Sequence, residues 1–297
     1  MYINRHSNNL NKEDLFKEII QLKNSMNDKR INFDLPKNHI RITGNYIVGL
    51  LEGDGSFYLN KNDMTARISL ITITQDRILL EKIREFLLSQ LDEYSCILGS
   101  STKLINIYNK KAIGTNKPIS ILEIYQIDYI KNILIPYFDS LQFRTKKYLD
   151  YLDFKTIAFL IFEGKHLLED GKELIIKLGN SMNNNRLSTN SNPLVFDTES
   201  KSKLNLLIKS KALINVDSEG RAKIISENKY IRSTYIIKAI FLNGSVSYFT
   251  NGVSCAKALH VSNNTITRRL NDGEPVKDKD GLTIATVKRI KVYSPKN

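Results

Sequence analysis

The chain has 297 residues, with 44 Lys and Arg against 31 Asp and Glu and a formal net charge of +13. That length holds two or three domains with a sizeable core, and no apolar run reaches the length of a membrane span or an N-terminal signal region. The two cysteines, Cys96 and Cys255, match no metal or redox spacing and read as buried thiols, and the scattered histidines build neither a zinc nuclease site nor a Ser/His triad.

Residues 1–37 contain an amphipathic helix from about Lys12 to Met26. Its end is repeated later. Ile19-Ile20-Gln21-Leu22-Lys23-Asn24-Ser25-Met26-Asn27 matches Ile175-Ile176-Lys177-Leu178-Gly179-Asn180-Ser181-Met182-Asn183 with seven identities in nine positions, and Arg30 falls on Arg186 at the same spacing. The later copy closes the unit that follows, so residues 1–37 read as the closing helix of an upstream copy, left as a relic.

The organising stretch is Asn45-Tyr46-Ile47-Val48-Gly49-Leu50-Leu51-Glu52-Gly53-Asp54-Gly55-Ser56-Phe57. An apolar helix carrying a small residue, Gly49, delivers two carboxylates to a glycine-flanked exit into a strand. A carboxylate at a helix C-terminus meets the negative end of the dipole, and a divalent cation on Asp54 would offset that.

Strands follow at Ser56–Lys61 and Arg67–Thr74, then a helix from Asp76 to Ser89 with apolar residues at helical spacing. Two more strands are expected near Ser95–Ile107 and Ser120–Ile127, separated by a polar loop with Lys110, Lys111 and Lys117. A helix from Tyr129 toward Phe138 is expected to bend at Pro136, and Tyr148–Phe162 and Gly171–Met182 read as packing helices.

The signature Gly49-Leu50-Leu51-Glu52-Gly53-Asp54-Gly55 resembles that of the LAGLIDADG homing endonucleases, and the element order matches that family's half-domain. The resemblance implies an α+β fold, an αββαββα half-domain with a saddle-like antiparallel sheet over residues 38–187, and an upstream LAGLIDADG copy as the source of residues 1–37. It makes Asp54 the ligand of Mg²⁺ and calls for no other cofactor. Gln75, closing Leu70-Ile71-Thr72-Ile73-Thr74-Gln75, takes a polar active-site role by the same resemblance, and its plainer reading is a helix cap or turn. In Phe138-Asp139-Ser140-Leu141-Gln142-Phe143-Arg144-Thr145-Lys146-Lys147 the family's basic catalytic residue falls on Lys146, with Lys147 as the alternative and a solvated basic loop as the plain reading. The open sheet face would lie in the major groove, with Tyr58, Asn60, Lys61, Arg67, Ser69, Thr72 and Lys103 as DNA-contacting candidates.

The polar stretch Asn183–Asn192 reads as a linker to a small α/β module over residues 188–297. Residues 201–297 hold 18 Lys and Arg against 7 Asp and Glu, which points to a polyanion partner. A helix at Ser200–Lys211 precedes strands near Tyr230–Leu242 and Ser245–Phe249 around an Asn243-Gly244 turn. Residues 252–271 read as a helix-turn-helix with a seam of Ala256, Leu259, Val261, Ile266 and Leu270. Asn263, Asn264, Thr265, Arg268 and Arg269 lie on its groove-facing side. This resembles the DNA-binding repeat appended to many intron-encoded nucleases, and its plain reading is a helical hairpin with a charged face.

The whole therefore resembles an intron-encoded, Mg²⁺-dependent, site-specific double-strand DNA endonuclease. Only one signature is present, so cutting both strands needs a homodimer or a second LAGLIDADG chain, and activity is lost without it. The alternative is an RNA-splicing maturase acting on group I intron RNA, or an inactive nucleic-acid-binding protein on the same scaffold. No membrane contact is expected. The abundance of Asn, Ile, Lys and Tyr with no Trp suggests an AT-rich coding sequence and points to a fungal-type mitochondrial genome.

Overall fold

A computed structural model describes residues 12–25, 41–91, 97, 104–112, 117–186 and 196–293. Contacts divide the chain into two compact units, Met1–Arg41 and Ile42–Asn297. The first contains helix α1 (Lys12–Ser25), on which Phe16, Ile19 and Ile20 are exposed. Met26, Asn27 and Arg30 of the repeat, Cys96, Lys103 and most of the expected Ser95–Ile107 strand lie outside the described residues.

The second unit begins with α2 (Gly44–Gly53), started by Thr43, whose hydroxyl accepts the Tyr46 amide at 3.2 Å. Ile47, Val48 and Leu51 are buried, the i, i+1, i+4 stripe of a helix lying on a core. Strands β1 (Gly55–Asn60), β2 (Thr65–Ile73), β3 (Ile105–Lys110) and β4 (Ile119–Ile124) form an antiparallel sheet ordered β1-β2-β4-β3. Alternation is regular in β1: Phe57 and Leu59 are buried while Ser56, Tyr58 and Asn60 turn the other way. Helix α3 (Arg77–Leu88) follows β2 and buries Leu80, Ile83 and Leu87.

The helix expected to bend at Pro136 starts at Ile127 instead. This α4 runs as Ile127–Tyr129, widens to a π-helical turn over Ile130–Leu134, and ends as Ile135–Asp139. The irregularity precedes the proline because the wider turn spares the hydrogen bond that Pro136 cannot donate. Helix α5 (Lys147–Phe162) carries the centre of the core, with Tyr151, Phe154, Ile157 and Ala158 nearly inaccessible. Helix α6 (Glu169–Asn180) buries Ile175 and Leu178.

The stretch after α6, read from sequence as the start of a linker, is a tight turn over Asn183–Arg186. Asn183 donates to the Phe57 carbonyl at 2.8 Å and to Asp150 from its backbone at 3.1 Å, and Arg186 pairs with Asp150 at 3.0 Å. Short polar residues look like linker in sequence, yet here they serve as partners for a buried carboxylate.

Helix α7 (Thr198–Lys209) leads to a small sheet, β5 (Ile214–Val216), β6 (Arg221–Ile224) and β7 (Lys229–Ser233). A four-stranded sheet follows, ordered β10-β11-β8-β9, from β8 (Tyr235–Phe241), β9 (Val246–Phe249), β10 (Val276–Lys277) and β11 (Thr283–Lys291). The expected Tyr230–Leu242 strand is thus two strands in different sheets, separated at buried Thr234. The long strand β11 was not expected at all.

These elements pack into the first core. Leu204, Ile236, Val292 and Tyr293 belong to the same buried cluster as Ile47 and Phe57. Two polar joints reinforce the contact. Arg232 donates to Asp128 at 2.9 Å and to the Phe162 carbonyl at 3.2 Å, with its guanidinium 5.0 Å from the Phe162 ring centre. Burial pushes the Asp128 carboxyl up, against the opposing pull of Arg232. Lys165 is fully buried. Its Nζ donates to the carbonyls of Leu207, Ile208 and Ser210 at 2.7, 2.9 and 2.9 Å and pairs with Glu163 at 2.9 Å, capping α7 from the neighbouring segment.

Replacing Lys165 by Met keeps the stem and removes every one of these donors. Urea unfolding of Lys165→Met is expected to show a loss of about 3 kcal/mol. Burial also pushes the Cys255 thiol up to about 11. Iodoacetamide at about pH 8 should therefore leave the Cys255 peptide unmodified in the native protein and label it in denaturant.

Candidate metal and nucleic-acid site

Two groups meet at one end of the first sheet, the exit of α2 and the loop before α5. Gly55 starts β1 because its Cα lies against the preceding turn. A Cβ there would stand 2.5 Å from Leu51 Cα and 2.7 Å from the Leu51 carbonyl oxygen. The tight exit leaves Asp54 as the C-cap of α2, its amide bonded to the Leu50 carbonyl at 2.9 Å and its side chain exposed.

Glu52 has a different task. Its Oε1 accepts the backbone N–H groups of Arg144 and Thr145, both at 2.6 Å. Partial burial would raise this carboxyl, but the amides of Thr145 and Arg144 outweigh it and hold the group below the usual range. Within the same loop, Phe143 stacks on Tyr151 at 4.9 Å with ring planes 12° apart. Residues 143–145 are therefore held by a ring stack and by two amide bonds to the end of α2.

This separates the two lysines. Lys146, just before α5, is exposed on the pinned loop. Lys147 is half-buried, with Nζ 2.9 Å from Asn183 Oδ1 and 3.7 Å from Asp150, and burial pushes its ammonium pKa down despite Asp150. Gln75 is exposed in a one-turn helix, Thr74–Asp76, beyond the end of β2. Gly55 faces Leu70 across the ladder, so the β2 end and the β1 start share one sheet edge. Gln75 lies beyond that end of the sheet, five residues past Leu70.

Among the described residues, no group of three or more His, Cys, Asp or Glu side chains converges on a point. Asp54 supplies one exposed carboxylate beside a helix's negative end. That donor fits a hard divalent cation whose other ligands are water and phosphate oxygens, and does not fit a softer metal needing His or Cys.

The open face of the sheet carries Ser56, Tyr58, Asn60, Arg67 and Ser69, as the β1–β2 register requires. Thr72 does not join them. It pairs with Ser120 on the side facing the helices, where Ser120 bonds Asn109 at 2.8 Å. Arg67 and Ser69 share one parity of β2 and Thr72 has the other. Lys61 is exposed in the β1–β2 turn.

The sequence reading missed Glu123 and Tyr108, which share this face. Tyr58 donates to Glu123 at 2.5 Å, and Arg67 donates to the other Glu123 oxygen at 3.1 Å while pairing with Asp63 and lying 5.2 Å over the Tyr125 ring. Burial first, then the bond to Glu123, pushes the Tyr58 hydroxyl well above its usual pKa. Glu123 is placed on this face by its register with Ser69 across β2 and β4.

In the second sheet, α8 (Gly252–Ala258) and α9 (Asn263–Asp272) pack over Ile237, Ala239, Ala285 and Val287 through buried Ala256, Leu259 and Ile266. Ser262 caps α9 by accepting the Thr265 amide at 3.0 Å. Asn264, Thr267, Arg268 and Asn271 line a shallow surface concavity along the outer flank of α9. Asn263 and Arg268 are exposed, Thr265 is half-buried, and Arg269 turns back to Asp272 at 2.9 Å.

Among known proteins, the family model described as LAGLIDADG endonuclease matches residues 47–158. "Probable intron-encoded endonuclease 2" of Neurospora crassa is 27% identical over 141 residues, covering 47% of this chain and 27% of that protein. "Uncharacterized mitochondrial protein RF1" of Saccharomyces cerevisiae is 21% identical over 183 residues, 59% of this chain and 38% of that one. The chain thus spans well under half the length of either relative. Among solved structures, the I-LtrWI LAGLIDADG homing endonuclease bound to target DNA is 24% identical with a TM-score of 0.38, over 56% of this chain and 53% of that one. I-SmaMI bound to DNA is 18% identical with a TM-score of 0.36, over 81% and 77%.

The Glu52 clamp carries a pH dependence of definite sign. Its folded pKa lies below the ordinary glutamate value of 4.5, so its contribution is complete above that pH and is lost as pH falls through the folded value. Glu52→Gln should lower stability by about 1–2 kcal/mol near neutrality. The gap between parent and variant should narrow as unfolding is repeated at progressively more acid pH.

Proposed function

We propose that this chain, whose residues 47–158 match the LAGLIDADG endonuclease family, is an intron-encoded DNA endonuclease cutting a specific duplex site with Mg²⁺. The observation that carries this reading is the exposed Asp54 carboxylate at the end of α2, with a lysine-bearing loop pinned beside it by Glu52. Asp54 would supply the protein carboxylate that holds the divalent cation. The metal supplies Lewis-acid polarisation of the phosphate and a more acidic water. Lys146, exposed on the held loop, would place positive charge where negative charge builds on phosphorus, and Gln75 would orient water. Lys147, tied to Asn183 and Asp150, positions the start of α5 instead.

The open sheet face lies in the major groove. Arg67 is held in a fixed pose by Glu123, Asp63 and Thr65, so a base contact would use only the N–H groups those partners leave. Asn263, Asn264, Thr265 and Arg268 form a second reading surface on α9, and Lys61 contacts phosphate. The names of the fungal relatives support an intron-encoded, mitochondrial origin.

A second active centre comes from another LAGLIDADG half. On the outer face of α2, Gly49 and Gly53 have no neighbour within 4 Å of an added Cβ, and Tyr46 is 43% exposed. These positions follow i, i+3, i+7 spacing and leave a smooth face on which a second helix seats closely. The rival reading, a maturase or binding protein acting on group I intron RNA, is favoured by the single signature carboxylate in the chain.

Two variants separate these readings. Asp54→Asn should abolish Mg²⁺-dependent cleavage of duplexes spanning intron-insertion junctions, with unfolding and DNA affinity retained. Cutting by Asp54→Asn at the parent rate would remove the metal role, and binding of intron RNA without cutting by either protein would favour the maturase. Arg268→Ala should weaken DNA binding and reduce the salt slope by about 1 if it contacts phosphate, or relax one base preference if it reads an edge.

A further inference from the structure

A carboxylate in the middle of a face that lies on a polyanion needs a reason. Glu123 is 7% exposed and both its oxygens are taken. Oε1 accepts the Tyr58 hydroxyl at 2.5 Å, and Oε2 accepts Arg67 Nη1 at 3.1 Å. Arg67 also donates from Nε to Thr65 at 2.9 Å and from Nη2 to Asp63. Two carboxylates thus face one guanidinium, so the cluster does not concentrate positive charge for phosphate. Its effect is to fix which polar atoms point outward.

Tyr58 and Arg67 stand directly opposite in the β1–β2 register, with Cβ atoms about 5 Å apart. Arg67 has committed one N–H from each nitrogen and keeps one on each Nη. A tyrosine hydroxyl ordinarily both donates and accepts. Here the proton is committed to Glu123, and burial, then that bond, hold it on the oxygen. Among the described residues nothing donates to Tyr58 in return. The outward side of its hydroxyl is an acceptor only.

We infer that Tyr58 determines specificity by reading amino groups and rejecting carbonyls on base edges, with Glu123 as its positioning residue. The inference rests on the proposed reading of duplex DNA by this sheet face and sharpens it. In the major groove adenine offers its N6 amino group and cytosine its N4 amino group, whereas guanine and thymine present only acceptors. An acceptor set against O6 or O4 leaves opposed lone pairs desolvated and unpaired. Every base pair joins an amino base to a keto base, so Tyr58 senses which strand carries which. Arg67 beside it supplies donors to a neighbouring N7 or carbonyl.

Glu123→Gln tests this polarity without removing bulk. The Arg67 guanidinium draws the amide oxygen, which turns the amide N–H groups toward Tyr58 and releases the hydroxyl proton to donate outward. Full-length parent, Tyr58→Phe and Glu123→Gln proteins would each select from a random-sequence DNA duplex pool, with the recovered duplexes sequenced. The parent should show a position where A or C exceeds G or T by about fivefold or more. Tyr58→Phe should level that position alone, and Glu123→Gln should turn it to G or T. A purely structural Glu123 predicts a uniform loss of affinity with the preference unchanged. That result, a keto preference in the parent at the position that Tyr58→Phe levels, or no position levelled by Tyr58→Phe would overturn the inference and leave site-specific duplex binding standing. A parent that selects no sequence would overturn the duplex reading and the inference with it. Should Glu123→Gln not fold, the position levelled by Tyr58→Phe decides by itself, amino in the parent for the inference and keto against it.

Discussion

The Glu52 carboxylate, bonded to two amides of the loop before α5, is the interaction on which the candidate site depends. A helix that ends in two acidic residues places both against its own partial negative charge. Here the two are resolved differently. Glu52 turns to external N–H donors, which offset the dipole and fix the loop, while Asp54 stays in solvent with its charge uncompensated by the described ion pairs. One carboxylate builds the site and its neighbour is left available for chemistry.

The rest of the first unit follows from holding that loop. Phe143, Tyr151, Phe57 and Phe154 form one aromatic cluster linking loop, central helix and first strand. Asn183, Asp150 and Arg186 secure the same strand from beneath. A displacement of the loop would therefore strain packed rings as well as two charge-assisted hydrogen bonds. The later elements extend this body: Lys165 and Arg232 are buried polar joints whose partners lie across sequence gaps of more than forty residues. The reading surface on α9 is thus carried by the same compact unit as Asp54.

Much of this was legible in the residues. The signature gave α2 and the position of Asp54, strand alternation gave the open face, and the apolar seam gave the pair of short helices. What was not legible depends on register and long-range pairing. Thr72 was assigned to the wrong face because its parity against Arg67 and Ser69 was overlooked, which the alternation itself contains. Glu123 was hidden in the apolar run Ile121-Leu122-Glu123-Ile124, where its buried role requires knowing that Tyr58 and Arg67 lie opposite. Strand β11 was missed although Ala285 and Val287 alternate with Thr286 and Lys288, because the basic residues suggested a solvated tail. Asn183 and Arg186 resembled linker composition, and only the buried Asp150 explains them.

The account turns on whether Glu52 holds the loop in solution. Native-state hydrogen exchange at the Arg144 and Thr145 amides addresses this directly. Slow exchange of both, with protection well above that of an unstructured chain and lost when Glu52 is replaced by Gln, is the predicted result. Exchange of both amides at the unstructured rate in the parent protein would show that the loop is not clamped. The basic residue would then have no fixed place beside Asp54, and the proposed catalytic arrangement would not stand.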